Sequence, residues 1–219
     1  MKILHRTIVL LTGLPLACSG GSFKSGAVAS QETPPVAEEK APPVEEPPRE
    51  KSLDQKPDEP FYVCDDNSVI TANVYELEVD TQNLPDFSTM TPSTEICLYD
   101  YNIAERPFEA GFPGEETLIE WFALESKTQL LIPKSGEYEF ILNSDDGSKL
   151  YIDNVLVIDN DGQHATTRKS AILILNEGLH QVRVDYFQGP RYLMALQVGW
   201  VKPGSTQEEW IPRDAFRAP

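Results

Sequence analysis

The second half of the chain alternates between apolar and polar positions. In GEYEFILNS (136–144) Tyr138, Phe140 and Leu142 fall on one face of an extended strand, with Glu137, Glu139 and Ile141 on the other. KLYI and VLVI flank Asp153-Asn154, a two-residue connection suited to a tight hairpin. SAILILNEG and LHQVRVDYFQG meet at Asn176-Glu177-Gly178, where Gly178 is free to take positive φ. In the second of these runs His180, Val182, Val184 and Tyr186 share a face; in YLMALQVGW Met194, Leu196, Val198 and Trp200 do. After residue 125 no segment sustains a 3.6-residue apolar period. Residues 61–219 therefore read as one all-β domain, a sandwich or barrel. The first half of that region is less regular. Val74–Val79 has a strand pattern and TLIEWFALES fits a strand or a short helix. Leu84–Thr94, broken by Pro85 and Pro92, is expected to wrap the sandwich as an irregular segment.

The N-terminal quarter carries no such pattern. Residues 1–17, MKILHRTIVLLTGLPLA, have a basic start at Lys2 and Arg6, then an apolar stretch, then small residues: the layout of a secretory signal peptide. The apolar run is shorter than the about 20 residues that span a bilayer. LPLAC, ending at Cys18, resembles bacterial lipoprotein precursors, in which the signal is cut before a cysteine that then carries lipid; Pro15 stands where that pattern usually has Leu. The alternative is an ordinary signal peptide, cut near Ala17–Ser19 or after Ala27–Ala29. In Gram-negative lipoproteins an Asp after the cysteine often marks inner-membrane retention, and Ser19 there implies the outer membrane and the cell surface instead. Residues 18–60 are small and polar, then rich in Pro and Glu, with Pro pairs at 34–35, 42–43 and 47–48 that favour extended polyproline II segments. Too few large apolar groups are present to offset the entropy of ordering, so this stretch reads as a disordered linker.

With Cys18 carrying lipid, Cys64 and Cys97 leave one possible pairing in an oxidising compartment; the alternative is two unpaired buried thiols. A net charge of −17 without a basic face argues against nucleic acid as a partner and is compatible with solubility or cation binding. Catalysis is not expected. Of three histidines, His5 lies in the signal, and His180 alternates with valines as a partly buried, satisfied side chain. GxSxG, HExxH and Gly-rich phosphate loops are absent from the sequence. A monomer is expected.

The order of motifs adds a family. GEYEFILNSDDGSKLYIDNVLVIDNDGQH (136–164), LNEGLHQVRVDYFQG (175–189), LQVGWVKPG (196–204) and WIPRDAF (210–216) together resemble the PA14 domain, an antiparallel β-sandwich found in adhesins and as an appendage in many glycosidases. The resemblance covers roughly residues 70–219. It implies a surface protein that binds carbohydrate.

Within that frame the pair Asp145-Asp146 in SDDG (144–147) is the feature that asks for chemistry. Adjacent carboxylates repel, and on a strand they point apart. They converge on one point if the peptide between them is cis, and a hard cation such as Ca²⁺, which takes oxygen ligands, then suits them. Sugar-binding PA14 adhesins have such an arrangement, with the metal holding sugar hydroxyls; by that resemblance Asp145 and Asp146 are the first ligands. The same resemblance points to FQGPRY (187–192) for the rest of the shell, with the amide oxygen of Gln188 and the carbonyls of Gly189 and Arg191. An acidic residue is expected near Arg191, whose positive charge instead suits a sugar or carboxylate. His164, at the end of DNDGQH (159–164), is placed at the ligand rim, and that loop itself reads as a hairpin turn with solvated acids. The bland alternative is that Ser-Asp-Asp-Gly is a β-turn in which Gly147 takes positive φ. The domain would then be a structural or protein-interaction module of the envelope without metal. Neighbouring carboxylates cannot straddle a glycosidic bond as a catalytic pair about 5 Å or more apart must.

Overall fold

A computed structural model describes Cys64 and residues 68–113, 115 and 117–219. The expected signal (1–17), lipidation at Cys18 and linker (18–60) lie outside the described residues. Twelve strands are described: β1 (Ile70–Glu76), β2 (Thr94–Leu98), β3 (Asn102–Pro107), β4 (Phe122–Ile132), β5 (Gly136–Asp145), β6 (Ser148–Ile152), β7 (Val155–Asn160), β8 (Thr167–Leu175), β9 (Gly178–Gln188), β10 (Leu193–Val201), β11 (Glu208–Trp210) and β12 (Phe216–Arg217). They form two antiparallel sheets. One runs β2-β1-β4-β9-β6-β7 with β12 on β4, the other β11-β10-β5-β8 with β3 on β10.

The alternation explains the core. Tyr138, Phe140 and Leu142 of β5, Val182, Val184 and Tyr186 of β9, and Met194, Leu196, Val198 and Trp200 of β10 are all buried in one apolar cluster between the sheets. At about 25 cal/mol per Å² of apolar surface, burying such side chains is the main force holding the layers together. TLIEWFALES resolves as strand only from Phe122, where β4 begins, between β1 and β9 at the centre of its sheet; Thr117–Trp121 lead into it without regular structure. The expected strand at Val74–Val79 sits earlier, at Ile70–Glu76, and Val79 is exposed beyond its end. Cys64 and Cys97 are disulfide-bonded, with Cα atoms 5.3 Å apart.

Two connections behave differently from their sequence pattern. Asp153 and Asn154, both at positive φ (49° and 65°), do close a tight hairpin between β6 and β7. SDDG, by contrast, is no hairpin turn: β5 belongs to the five-stranded sheet and β6 to the seven-stranded one, so the segment carries the chain from one sheet to the other. The end of DNDGQH, Asp161–His164 between β7 and β8, makes the reverse crossing and is likewise not a hairpin. Alternation fixes which face of a strand is inward, and carries no information about which sheet the strand joins.

The irregular segment after β1 contains a single turn of 3₁₀ helix, Phe87–Thr89, capped by the Asp86 carboxylate on the Ser88 amide. Its Leu77, Leu84, Phe87 and Met90 pack on Tyr75, Ala123 and Phe187. Those three project from the side of their strands opposite to Val74, Leu124 and Tyr186, so the segment lies across the outer face of the seven-stranded sheet.

Candidate functional site

The crossing from β5 to β6 is built from small polar residues that bond one another. Ser144 and Ser148 hydroxyls meet at 2.6 Å across the corner, and Asn160 Nδ2 donates to Ser144 Oγ and to the Thr167 carbonyl, both at 3.0 Å. The Tyr186 hydroxyl lies 2.7 Å from the Asp145 carbonyl and 2.6 Å from Gln188 Oε1, one proton shared between two acceptors. Gly147 is not at positive φ. A Cβ there would stand 2.4 Å from Phe187 Cε1 and 2.8 Å from the Gly162 amide nitrogen, so glycine is required by close approach and not by a turn.

The peptide between Asp145 and Asp146 is cis, and the two residues are only 7% and 5% exposed. Their surroundings differ. Asp146 accepts from two backbone amides of separate loops, His164 at 2.9 Å on Oδ1 and Gly189 at 2.8 Å on Oδ2. Asp145 has the Thr166 hydroxyl at 3.2 Å from Oδ2, and the same hydroxyl donates to Glu105 at 2.5 Å. Burial first, and then the charge of Asp146, raise the Asp145 carboxyl to about 6. Burial also raises Asp146, against the lowering influence of the Gly189 and His164 amides. Asp146 thus pins the 159–166 and 189–192 loops to the corner, and Asp145 beside it meets only the hydroxyl and amide of Thr166.

The structure gathers the other expected residues around this corner in altered roles. Gly189 is adjacent through its amide, while its carbonyl accepts from the Trp121 amide at 3.3 Å. Gln188, expected to offer an amide oxygen to a cation, is fully buried. Its Oε1 faces Tyr186, and Nε2 donates to the carbonyls of Pro190 (3.3 Å) and Leu193 (3.0 Å), so the amide braces the loop from behind. The sequence held a signal for this: a period of two puts Gln188 on the inward face with Val184 and Tyr186. The exposed guanidinium of Arg191 is held by Glu120 through Nε at 3.0 Å and Nη2 at 3.1 Å, and Glu120 raises its pKa. Both ring nitrogens of His164 lie against backbone carbonyls of its own loop, Asn160 at 2.8 Å and Ala165 at 3.0 Å.

Asp161 is no solvated turn acid. It accepts from the Leu84 amide at 2.8 Å and pairs with Lys149 at 2.7 Å, while Gln163 donates to the Thr81 carbonyl at 2.8 Å. These bonds tie the 159–166 loop to the segment across the outer face. Sequence reasoning missed Thr166, Glu120 and the 81% exposed Tyr192; no short-range pattern marks a residue whose partner lies on another loop. His180 is satisfied as expected, between Asp153 at 2.6 Å and the Asn176 carbonyl at 2.9 Å. Among the described residues no group of three or more His, Cys, Asp or Glu side chains is arranged to hold a metal ion.

The family model for the PA14 domain matches residues 112–213. Among solved structures, a PA14 sugar-binding domain from an RTX adhesin is 13% identical, with 70% of this chain and 99% of that one covered at a TM-score of 0.57. The PA14 domain of the MpAFP antifreeze protein is also 13% identical, with 72% and 94% covered at 0.56. An anti-sigma factor domain-containing protein is 19% identical, with 70% and 48% covered at 0.56, so this chain spans about half the length of that relative. No curated protein matches the sequence. The family match and the shared two-sheet architecture agree: residues 112–213 match the PA14 domain, within a fold like that of solved PA14 domains.

Proposed function

We propose that this protein is a cell-surface lipoprotein whose PA14 domain binds carbohydrate at the corner formed by Asp145 and Asp146, with Ca²⁺ between the two carboxylates. The observation that carries the reading is the uncompensated pair. Both residues are at least nine-tenths buried, and their hydrogen-bond partners are a hydroxyl and backbone amides. No ion pair found among the described residues reaches either. Buried charge is costly unless matched, and an all-oxygen donor set suits a hard dication.

The donor set fits such an ion. Asp145 and Asp146 supply the charge. From the loop beyond β9 the carbonyl of Arg191 is the candidate, since those of Gly189, Pro190, Tyr192 and Leu193 already accept hydrogen bonds. When bound, the ion would supply the positive centre that vicinal sugar hydroxyls seek. The chain's own residues do the rest: Asp146 sets both loops, Glu120 holds Arg191 at the rim, and Tyr192 and His164 offer surfaces for the sugar. With only two charged ligands, the expected calcium affinity is about 10⁻⁴–10⁻³ M, the range of extracellular modules. The RTX adhesin domain, named as sugar-binding, supports the reading through its shared fold. LPLAC with Cys18, the Pro/Glu-rich linker and Ser19 support a lipid anchor facing the cell surface from the outer membrane.

The test is a calorimetric titration of CaCl₂ into the metal-stripped protein and into an Asp145→Asn/Asp146→Asn variant, followed by a glycan array with and without EGTA. The expected result is heat and glycan retention in the wild type, both lost in the variant and the retention lost in EGTA. An absence of calcium heat in the wild type sinks the metal. An absence of glycan retention sinks the lectin and leaves a protein-interaction module of the envelope.

A further inference from the structure

Residues 77–93 join β1 to β2 as a strap across the outer face of the seven-stranded sheet, and none of them is fully buried. The strap is seated by four half-buried side chains, Leu77, Leu84, Phe87 and Met90. The Phe87 ring rests against Tyr75, with centroids 4.7 Å apart. A segment with so little buried surface opens at low cost while the sheets stay folded.

The polar bonds of the strap lead to the two loops that Asp146 holds. The Thr81 carbonyl accepts from Gln163 Nε2 and the Leu84 amide donates to Asp161, both at 2.8 Å and both in the 159–166 loop. At the start of the strap the Leu77 amide donates to the Trp121 carbonyl at 2.8 Å. The Trp121 amide in turn donates to the Gly189 carbonyl at 3.3 Å. Phe187, in the cluster on which the strap packs, donates its amide to the Gly147 carbonyl at 2.9 Å, one residue from Asp146.

Gln163 is the link between the loops. Its side chain lies so close over Gly189 that a Cβ there would stand 3.3 Å from Nε2 and 3.4 Å from Cγ. The same Nε2 reaches Thr81, so one carboxamide meets the strap and the 189–192 loop together. Asp146 grips the same two loops through the amides of His164 and Gly189. Docking of the strap and order at the corner thus act on one set of main-chain positions.

We propose that the strap regulates the Asp145–Asp146 corner, with Gln163 as the positioning residue that passes its docking on to both loops; this rests on the reading of that corner as a ligand site. Docked, the strap holds the loops in the arrangement a ligand meets. Lifted, it leaves them to Asp146 and to their own internal bonds. Occupancy of the corner favours the docked strap by the same factor, because coupling between two sites is reciprocal.

The test is hydrogen exchange of the full chain read by mass spectrometry, first in EGTA. Phe87→Ala trims the seat of the strap without removing any of its bonds to the loops, and Gln163→Ala cuts the link itself. Each should speed exchange across residues 187–192 about threefold or more, with residues 195–201 of β10 unchanged as the control for global loosening. In CaCl₂ the wild type should exchange more slowly across 80–88, and titration should show calcium affinity lowered about fivefold in both variants. Unchanged exchange across 187–192 in both variants overturns the proposal whether or not calcium binds, and so does faster exchange with undiminished calcium affinity. A wild type silent to CaCl₂ whose variants still loosen 187–192 sinks the metal at the corner and supports the hold of the strap on it. Should Phe87→Ala fail to fold, Gln163→Ala decides.

Discussion

Asp145 and Asp146 look equivalent in sequence, and their surroundings predict very different mutational costs. Asp146→Ala removes the acceptor for two backbone amides, at 2.9 and 2.8 Å. Hydrogen bonds to a charged group contribute about 1.5–3 kcal/mol each, and the buried Gly189 amide would be left without a partner. Against that gross loss of roughly 3–6 kcal/mol, about 1 kcal/mol returns from no longer burying a charge beside another. The net cost is about 2–5 kcal/mol. Asp145→Ala removes the 3.2 Å contact from the Thr166 hydroxyl, the contact from the Thr166 amide, and the charge that burial and Asp146 disfavour. Its net effect is within about 1 kcal/mol of zero. Urea unfolding of both variants in EGTA, followed by fluorescence of the buried Trp200, measures the difference. With a slope of about 2 kcal/mol per M, Asp146→Ala should unfold about 1 M urea earlier than Asp145→Ala. Midpoints closer than about 0.3 M would refute the assignment of the loop clamp to Asp146 alone.

Gly147→Ala should cost about 1–3 kcal/mol or more, because its Cβ meets Phe187 and the Gly162 backbone inside contact distance; a thermal melt reads this directly. Reducing the Cys64–Cys97 bridge, which spans 33 residues, should remove about 3–4 kcal/mol in the chain-entropy model, seen as a lower urea midpoint with dithiothreitol. Asp185 sets a pH dependence. Its carboxyl is raised from 3.8 to about 7 in the folded state, so between those values the folded protein holds a proton that the unfolded chain has released. Stability then falls as pH rises through that window, and Asp185→Asn should flatten the fall; unfolding midpoints collected from about pH 4 to 8 test the sign.

Much of the architecture is legible in the chain. Period-two alternation marks β5, β9 and β10 and names their core residues, and Asp153-Asn154 announces its hairpin, since each depends on neighbours in sequence. What stays hidden depends on distant partners. Nothing local tells SDDG that its two strands join different sheets. The tightness around Gly147 comes from Phe187, and the partners of Asp146 lie 18 and 43 residues away. Asp185 alternates with core residues and so reads as a solvated outward acid. It is buried because the segment around residues 85–88, irregular in sequence, folds down over that face. Gln188 is the instructive case, since the alternation already placed it inward and the resemblance pulled it outward.

Both hydrogen bonds that hold the loops to Asp146 come from main-chain amides, at positions 164 and 189. The clamp therefore reads no side chain: at 164 every residue except proline can donate the same bond. Substitutions at 164, 191 and 192 therefore change what the rim presents while the frame stays where the carboxylate fixes it, whereas Gln163 and Thr166 are tied through their own side chains. A lineage can sample new binding preferences there one residue at a time without refolding the corner, and a protein engineer can randomise the same positions for the same reason.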